Sequence, residues 1–176
     1  MVVLVTHICF AFFSFLLLFR WVNFSAPTPN QDAIAQSLIR AKEPYEGFSS
    51  YYTYLASEYK RKRQLLSDAL TAAGMTPVLP PGGFFIMADT SNIDFPLEYL
   101  DAVTDAMPVS PMPRDWAMSR WLTTQVGVTA IPPSAFYSKE NVPLAKNLLR
   151  FAYCKGDDTI LEANRRLEAH FGGDKK

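Results

Sequence analysis

The amino-acid sequence predicts an α/β (α+β) domain, a small sheet covered by helices, preceded by an apolar N-terminal helix. Three observations predict it. Stretches with apolar residues at helical spacing alternate with short β-rich runs, in the order helix, strands, helix, strand, strand, helix. Gly and Pro clusters fall at the joins between these stretches. Hydrophobic residues make up 49% of the 176, enough for an ordinary globular core.

Residues 1–19 are apolar except for Thr6, His7 and Ser14, and Arg20 stops the run. That length approaches the roughly 20 residues that cross a hydrocarbon core, and its Phe and Leu content favours insertion. A signal peptide is disfavoured, because no Lys or Arg precedes the run and no small-x-small cleavage site follows it. Three readings stay open: an uncleaved membrane anchor, a buried hydrophobic helix, and a misassigned start. The buried helix fits less well, since the run has no polar face for solvent. On insertion, Arg20 would leave the following domain in the cytosol. Asn23-Phe24-Ser25 matches a glycosylation acceptor, which matters only in a lumenal segment. We therefore set residues 1–22 apart from a folded domain over 23–176.

Within that domain Pro27 and Pro29 mark an extended linker. A helix fits Asn30 to about Ala41, with Asn30 as N-cap ahead of Ala33, Ile34 and Leu38. Pro44 and Gly47 interrupt it. A second helix spans about Ser49 to Ala73, with Leu55, Tyr59, Leu66 and Leu70 on one stripe and Gly74 as the stop. Thr76 to Leu79 is a strand, Pro80-Pro81-Gly82-Gly83 forces a turn, and Phe84 to Ala88 is a second strand. Asp94 to Met112, rich in prolines and acidic residues, reads as a loop or insertion. Pro113 opens the next helix, whose Met118, Trp121, Leu122 and Val126 face inward and which Gly127 ends. Val128 to Ile131 is a brief strand before the Pro132-Pro133 break. Leu148 to Cys154 is the last strand. Thr159-Ile160-Leu161-Glu162 has capping-box spacing and opens a closing helix with Ile160, Ala163, Leu167 and Phe171 inward.

Charge and cysteine usage exclude several classes of function. Seventeen Lys and Arg balance seventeen Asp and Glu, so no bulk field draws nucleic acid. Lys60-Arg61-Lys62-Arg63 lies inside a helical pattern and reads as a solvated face. Cys9 and Cys154 are far apart, with no Cys/His cluster beside either, which argues against a disulfide framework or a metal site.

Four segments carry a resemblance: Pro81-Gly82-Gly83-Phe84-Phe85-Ile86-Met87-Ala88-Asp89; Arg114-Asp115-Trp116 through Trp121-Leu122; Val128-Thr129-Ala130-Ile131-Pro132-Pro133-Ser134-Ala135-Phe136-Tyr137; and Leu149-Arg150-Phe151-Ala152-Tyr153-Cys154-Lys155. In order and approximate spacing they resemble the C-terminal, small-domain part of class I (fold-type-I) PLP-dependent aminotransferases, closest to the kynurenine–oxoglutarate transaminase and cysteine-conjugate β-lyase group. The likeness runs from about Asn23 to about Phe171 and excludes residues 1–22.

The resemblance implies that Arg150 binds the substrate α-carboxylate, since a guanidinium fork offers paired donors to both oxygens. From the residues alone, Arg150 would be a surface arginine on an edge strand. Gly82 and Gly83 supply the turn. Phe84, Phe85 and Phe136 belong to a core by the usual fate of strand aromatics, or line a pocket mouth. Pro132 and Pro133 shape a loop near the cofactor, and His170 is a helix-end residue. The family needs a lysine that forms a Schiff base with pyridoxal 5'-phosphate and then moves the proton. The eight lysines are 42, 60, 62, 139, 146, 155, 175 and 176, and none sits in the family's Ser-x-x-Lys setting after a strand. No catalytic residue is therefore assigned, and cofactor-binding residues stay unassigned. The chain alone is expected not to retain the cofactor and to be inactive. The intact enzyme would be a cytoplasmic homodimer acting on an amino acid and a 2-oxo acid. The alternative is a membrane-anchored, non-catalytic binding module, attached through residues 1–19.

Overall fold

A computed structural model of the chain describes residues 27–172 other than 106, 107 and 109, together with Ser14. The expected apolar helix thus lies outside the described residues. Among those residues no helix is long and apolar enough to cross a membrane. The chain divides into two compact units, Met1–Tyr54 and Leu55–Lys176.

In the first unit, helix α1 is Thr28–Arg40, with Pro27 at the N-cap and a proline in the first turn. It begins before Asn30, the cap expected from the sequence. Pro29 is the reason: a missing N–H is harmless in the first turn, where no intrahelical acceptor exists. Ile34, Leu38 and Ile39 are all exposed along it. Glu46 and Gly47 then take positive φ. This closes a turn in which Tyr45 and Phe48 exchange backbone hydrogen bonds of 3.1 and 2.8 Å. The rings of Tyr45 and Phe48 each meet Tyr54 edge-on.

Helix α2, Tyr51–Ala72, runs from the first unit into the second. Its predicted stripe holds in the second unit: Leu66 and Leu70 are buried, and Tyr59 packs against the core. Three antiparallel strands follow, β1 (Thr76–Val78), β2 (Phe85–Asp89) and β3 (Leu148–Ala152), in spatial order β1-β2-β3. The alternation of side chains sorts the two faces of this sheet. Ile86 and Ala88 of β2, with Leu149 and Phe151 of β3, are buried. Phe85, Met87 and Arg150 therefore lie on the opposite face. The buried face joins one core with Leu66 and Leu70, with Met118, Trp121 and Leu122 of helix α4, and with Ile160 and Leu167 of helix α5. Helix α3 is Glu98–Asp101, α4 is Arg114–Trp121 and α5 is Asp157–Phe171.

Several expectations are corrected. The loop expected from Asp94 to Met112 contains the single turn α3. Helix α4 passes into a π-helical turn, Leu122–Val126, before Gly127 ends it in the left-handed region. Val128 to Ile131 is not a strand: only Ile131 bridges, exchanging backbone bonds with Arg150 at 2.9 and 3.0 Å. Left-handed Gly127 and the donor-less Pro132 leave no room for a longer ladder. The last strand stops at Ala152, although Tyr153 N still donates to Phe84 O at 3.0 Å. Helix α5 starts two residues ahead of the capping-box Thr159, at Asp157, without a side-chain cap. Asp157 and Asp158 face the positive end of its dipole instead. The basic cluster is only half a solvated face. Lys60 and Arg61 are exposed, whereas Lys62 donates to Lys155 O at 2.9 Å and Arg63 to Pro80 O at 2.6 Å.

Gly127 offers a direct test of this packing. Its φ is +75°, and an added Cβ would sit 2.6 Å from Arg166 Nη1, which itself donates to Gly127 O. Gly127→Ala should destabilise the chain by about 1–2 kcal/mol from the left-handed backbone alone. A urea midpoint lowered at constant slope is the measurement.

Candidate functional site

The face of β2 and β3 turned away from the core carries the one arginine that the family resemblance singles out. Arg150 pairs with Met87 across the two strands. Its N–H and C=O both go to Ile131, so the Arg150–Met87 pair is the closer, non-hydrogen-bonded kind. The Arg150 guanidinium carbon lies 4.2 Å from the Phe85 ring centroid and 4.3 Å from that of Phe136. Two aromatic faces thus hold the fork by cation–π attraction. Arg150 Nε is enclosed and makes no hydrogen bond, and no ion pair involves Arg150 among the described residues.

The aromatic residues do not join the core, as strand aromatics usually do. Phe136 is 64% exposed and Phe84 is exposed as well. Phe85, on the side of β2 away from the core, stacks on both Phe84 and Arg150.

Phe136 closes a 3-10 turn, Pro133–Phe136. The turn is held from helix α4 by polar groups that the sequence alone does not connect. Asp115 Oδ2 accepts from Ser134 N at 2.9 Å, and Trp116 Nε1 donates to Ser134 Oγ at 3.0 Å. Ser119 Oγ donates to Ala130 O at 3.1 Å, fixing the approach to the turn. These side chains lie in the quoted segments, but nothing in their spacing says that they touch.

Two further groups set the ends of β2. At its start Gly83 takes φ +85°, and its carbonyl accepts from Tyr153 Oη at 2.8 Å. Burial pushes the Tyr153 hydroxyl above its ordinary pKa. Tyr153→Phe should cost about 0.5–1.5 kcal/mol, one net hydrogen bond, read by thermal unfolding. Past its end, Arg114 donates to Thr90 Oγ1, Thr90 O and Ile93 O at 2.8–2.9 Å. Asp89 accepts from the hydroxyl and the N–H of Ser91, which hold its carboxyl below the ordinary range. His170 sits in the last turn of α5, as expected, with its ring 5.3 Å from that of Trp121.

A family profile described as aminotransferase class I and II matches residues 16–167. The chain belongs to this aminotransferase family. The kynurenine–oxoglutarate transaminase of Dictyostelium discoideum is 40% identical over 148 residues, covering 84% of this aminotransferase chain and 33% of the relative. Kynurenine–oxoglutarate transaminase 3 of Rattus norvegicus is 31% identical, covering 78% and 28%. Among solved structures, Bna3p from Saccharomyces cerevisiae matches with a TM-score of 0.72 at 32% identity, over 85% of this chain and 33% of that one. N-succinyldiaminopimelate aminotransferase from Mycobacterium tuberculosis matches with 0.62 at 27% identity, over 85% and 32%. The aminotransferase chain therefore spans about a third of the length of the relatives it matches.

Pyridoxal phosphate dependence belongs to the family in general. The described residues do not fit the aldehyde end of that cofactor. An attacking lysine must shed its proton, which an enclosed, apolar position assists. Lys42, Lys60, Lys139, Lys146 and Lys155 are exposed, and Lys62 is spent on a carbonyl. Ser57-Glu58-Tyr59-Lys60 reproduces the family spacing, but it lies within α2 rather than after a strand, with Lys60 in solvent. These lysines therefore support no step through the cofactor.

Proposed function

We propose that residues 23–176 supply the carboxylate-binding side of a transaminase site acting on an amino acid and a 2-oxo acid. In this reading Arg150 anchors the substrate α-carboxylate. The observation that carries it is the fork of Arg150, flattened between Phe85 and Phe136 and free of any internal carboxylate among the described residues. Its Nε edge is enclosed. A carboxylate approaching the open edge would take two parallel charge-assisted hydrogen bonds and be oriented as well as neutralised. The names of the relatives favour kynurenine–oxoglutarate chemistry within this class; a cytoplasmic homodimer is the form proposed for the intact enzyme. The placement of the lysines supports a chain that does not turn over on its own.

Titration of the chain with 2-oxoglutarate, following the Arg150 Nε–Hε resonance by NMR, tests the anchor. A saturable shift that Arg150→Gln abolishes is the expected result. An Arg150 resonance indifferent to the ligand would overturn the assignment. Absorbance after addition of pyridoxal phosphate tests the second point: a lysine-linked aldimine band with transamination would refute inactivity.

A further inference from the structure

We infer that Asp115 is a positioning residue, which aims Arg150 by capping the turn that carries Phe136; the functional meaning of that aim rests on the carboxylate reading above. Phe136 forms half of the aromatic clamp on Arg150, yet it is 64% exposed, so burial does not hold its ring in place. Its backbone must do so. A 3-10 turn of four residues has poor internal hydrogen-bond geometry, and the first N–H groups of any helical turn lack an internal acceptor. Pro133 has no N–H, which leaves Ser134 N as the first such donor in Pro133–Phe136. That donor goes to Asp115 Oδ2 at 2.9 Å, on another helix 19 residues away.

The carboxylate is 1% exposed. Its other oxygen, Oδ1, is enclosed and has no hydrogen bond among the described residues. Burying a carboxylate with one oxygen unpartnered is unfavourable for stability. A core-filling residue at this position would pack at lower cost. The arrangement gains something only through what Oδ2 holds. Trp116 adds a second tie to the same serine, through Ser134 Oγ at 3.0 Å. From Ser134 the turn leads in two residues to Phe136 and the Arg150 fork.

The test is the Arg150 Nε–Hε resonance of the full chain, displaced upfield by the two rings, read beside the methyl signals of Leu70, Ile86 and Leu149. Asp115→Ala should remove roughly half of the displacement, since the rings stand at 4.2 and 4.3 Å, with the core methyls unmoved. Phe136→Ala should give the same value. Asp115→Asn keeps an oxygen acceptor for Ser134 N and should restore it. Affinity for 2-oxoglutarate should fall about fivefold in Asp115→Ala, the size of one exposed cation–π contact. An unmoved Arg150 resonance in Asp115→Ala, failure of Asn to restore it, or an equal shift of the core methyls would each overturn the inference. If Asp115→Ala does not fold, Trp116→Phe decides: a partial shift of the Arg150 resonance supports the inference, and no shift overturns it. If the resonance moves while the unsubstituted chain binds no 2-oxoglutarate, the positioning stands and the carboxylate reading is what fails.

Discussion

Replacing Trp121 by alanine should remove a large share of the chain's stability. The indole is 4% exposed and sits where α4, α5 and the loop after β2 converge. Its ring meets Phe95 at 6.0 Å, His170 at 5.3 Å and Phe171 at 5.9 Å. Truncating a buried tryptophan costs about 3–5 kcal/mol, the lost transfer energy plus the cavity that remains. A domain of ordinary stability has only about 5–15 kcal/mol in total. Trp121→Ala should therefore lower the denaturant midpoint by a third of its value or more, with native chain still present in buffer. Trp121→Phe, which keeps the edge contacts to Phe171, should recover more than half of the loss. A midpoint unchanged in Trp121→Ala would mean that the π-turn and α5 are held by something other than this aromatic junction.

The second large effect concerns ligand binding rather than stability. Arg150→Lys keeps the charge and nearly all of the aliphatic stem, so a purely electrostatic anchor would barely notice it. The geometry predicts otherwise. Two rings 4.2 and 4.3 Å from the guanidinium carbon form a slot for a flat group, and an ammonium fills it poorly. One of two charge-assisted hydrogen bonds to the carboxylate is also lost, which is worth about 1.5–3 kcal/mol. Affinity for 2-oxoglutarate should fall by about tenfold to hundredfold, while the thermal midpoint stays within a few degrees of the parent. Calorimetric titration beside a melting curve separates the two. Equal affinity in the lysine variant would reduce Arg150 to a point charge and remove the role given to Phe85 and Phe136.

The parts of this molecule that can be read from the sequence are those governed by local periodicity. Leu149 and Phe151 alternate with Arg150, and that alone places the arginine on the face away from the core. Ile160 and Leu167 recur at helical spacing and are buried as predicted. The one-residue bridge at Ile131 looks like a strand in the sequence because Val and Ile favour strands, while the neighbouring glycine and prolines set how far pairing can extend. The role proposed for Arg150 comes from resemblance; nothing in its immediate neighbours tells an anchor from an edge-strand arginine. Asp115 is out of reach for a different reason. Its partner is 19 residues distant, and only the folded packing of α4 against the 3-10 turn brings the carboxylate to a backbone N–H. Lys62 and Arg63 teach the same lesson: charge in a helical pattern suggests solvent, but carbonyls of residues far along the chain receive them.

The pairing of β2 with β3 also sets a timetable for synthesis. Asp89 is matched to Leu148, so the central strand waits for a partner encoded roughly sixty residues later. At translation speeds of about 5–20 residues per second, that interval lasts several seconds. Through it Ile86 and Ala88 have only the three-residue β1 beside them and no closed core above. Long-range pairings of this sort fold slowly, because the loop must close before any contact rewards it. The nascent chain is thus most vulnerable to chaperone capture, or to wrong pairing with a neighbouring chain, between the emergence of Asp89 and that of Ala152. A ribosome that pauses in this window should raise the fraction of product lost to aggregation, whereas one that pauses after Phe171 has emerged, with Ile160 and Leu167 free to close the core, should not.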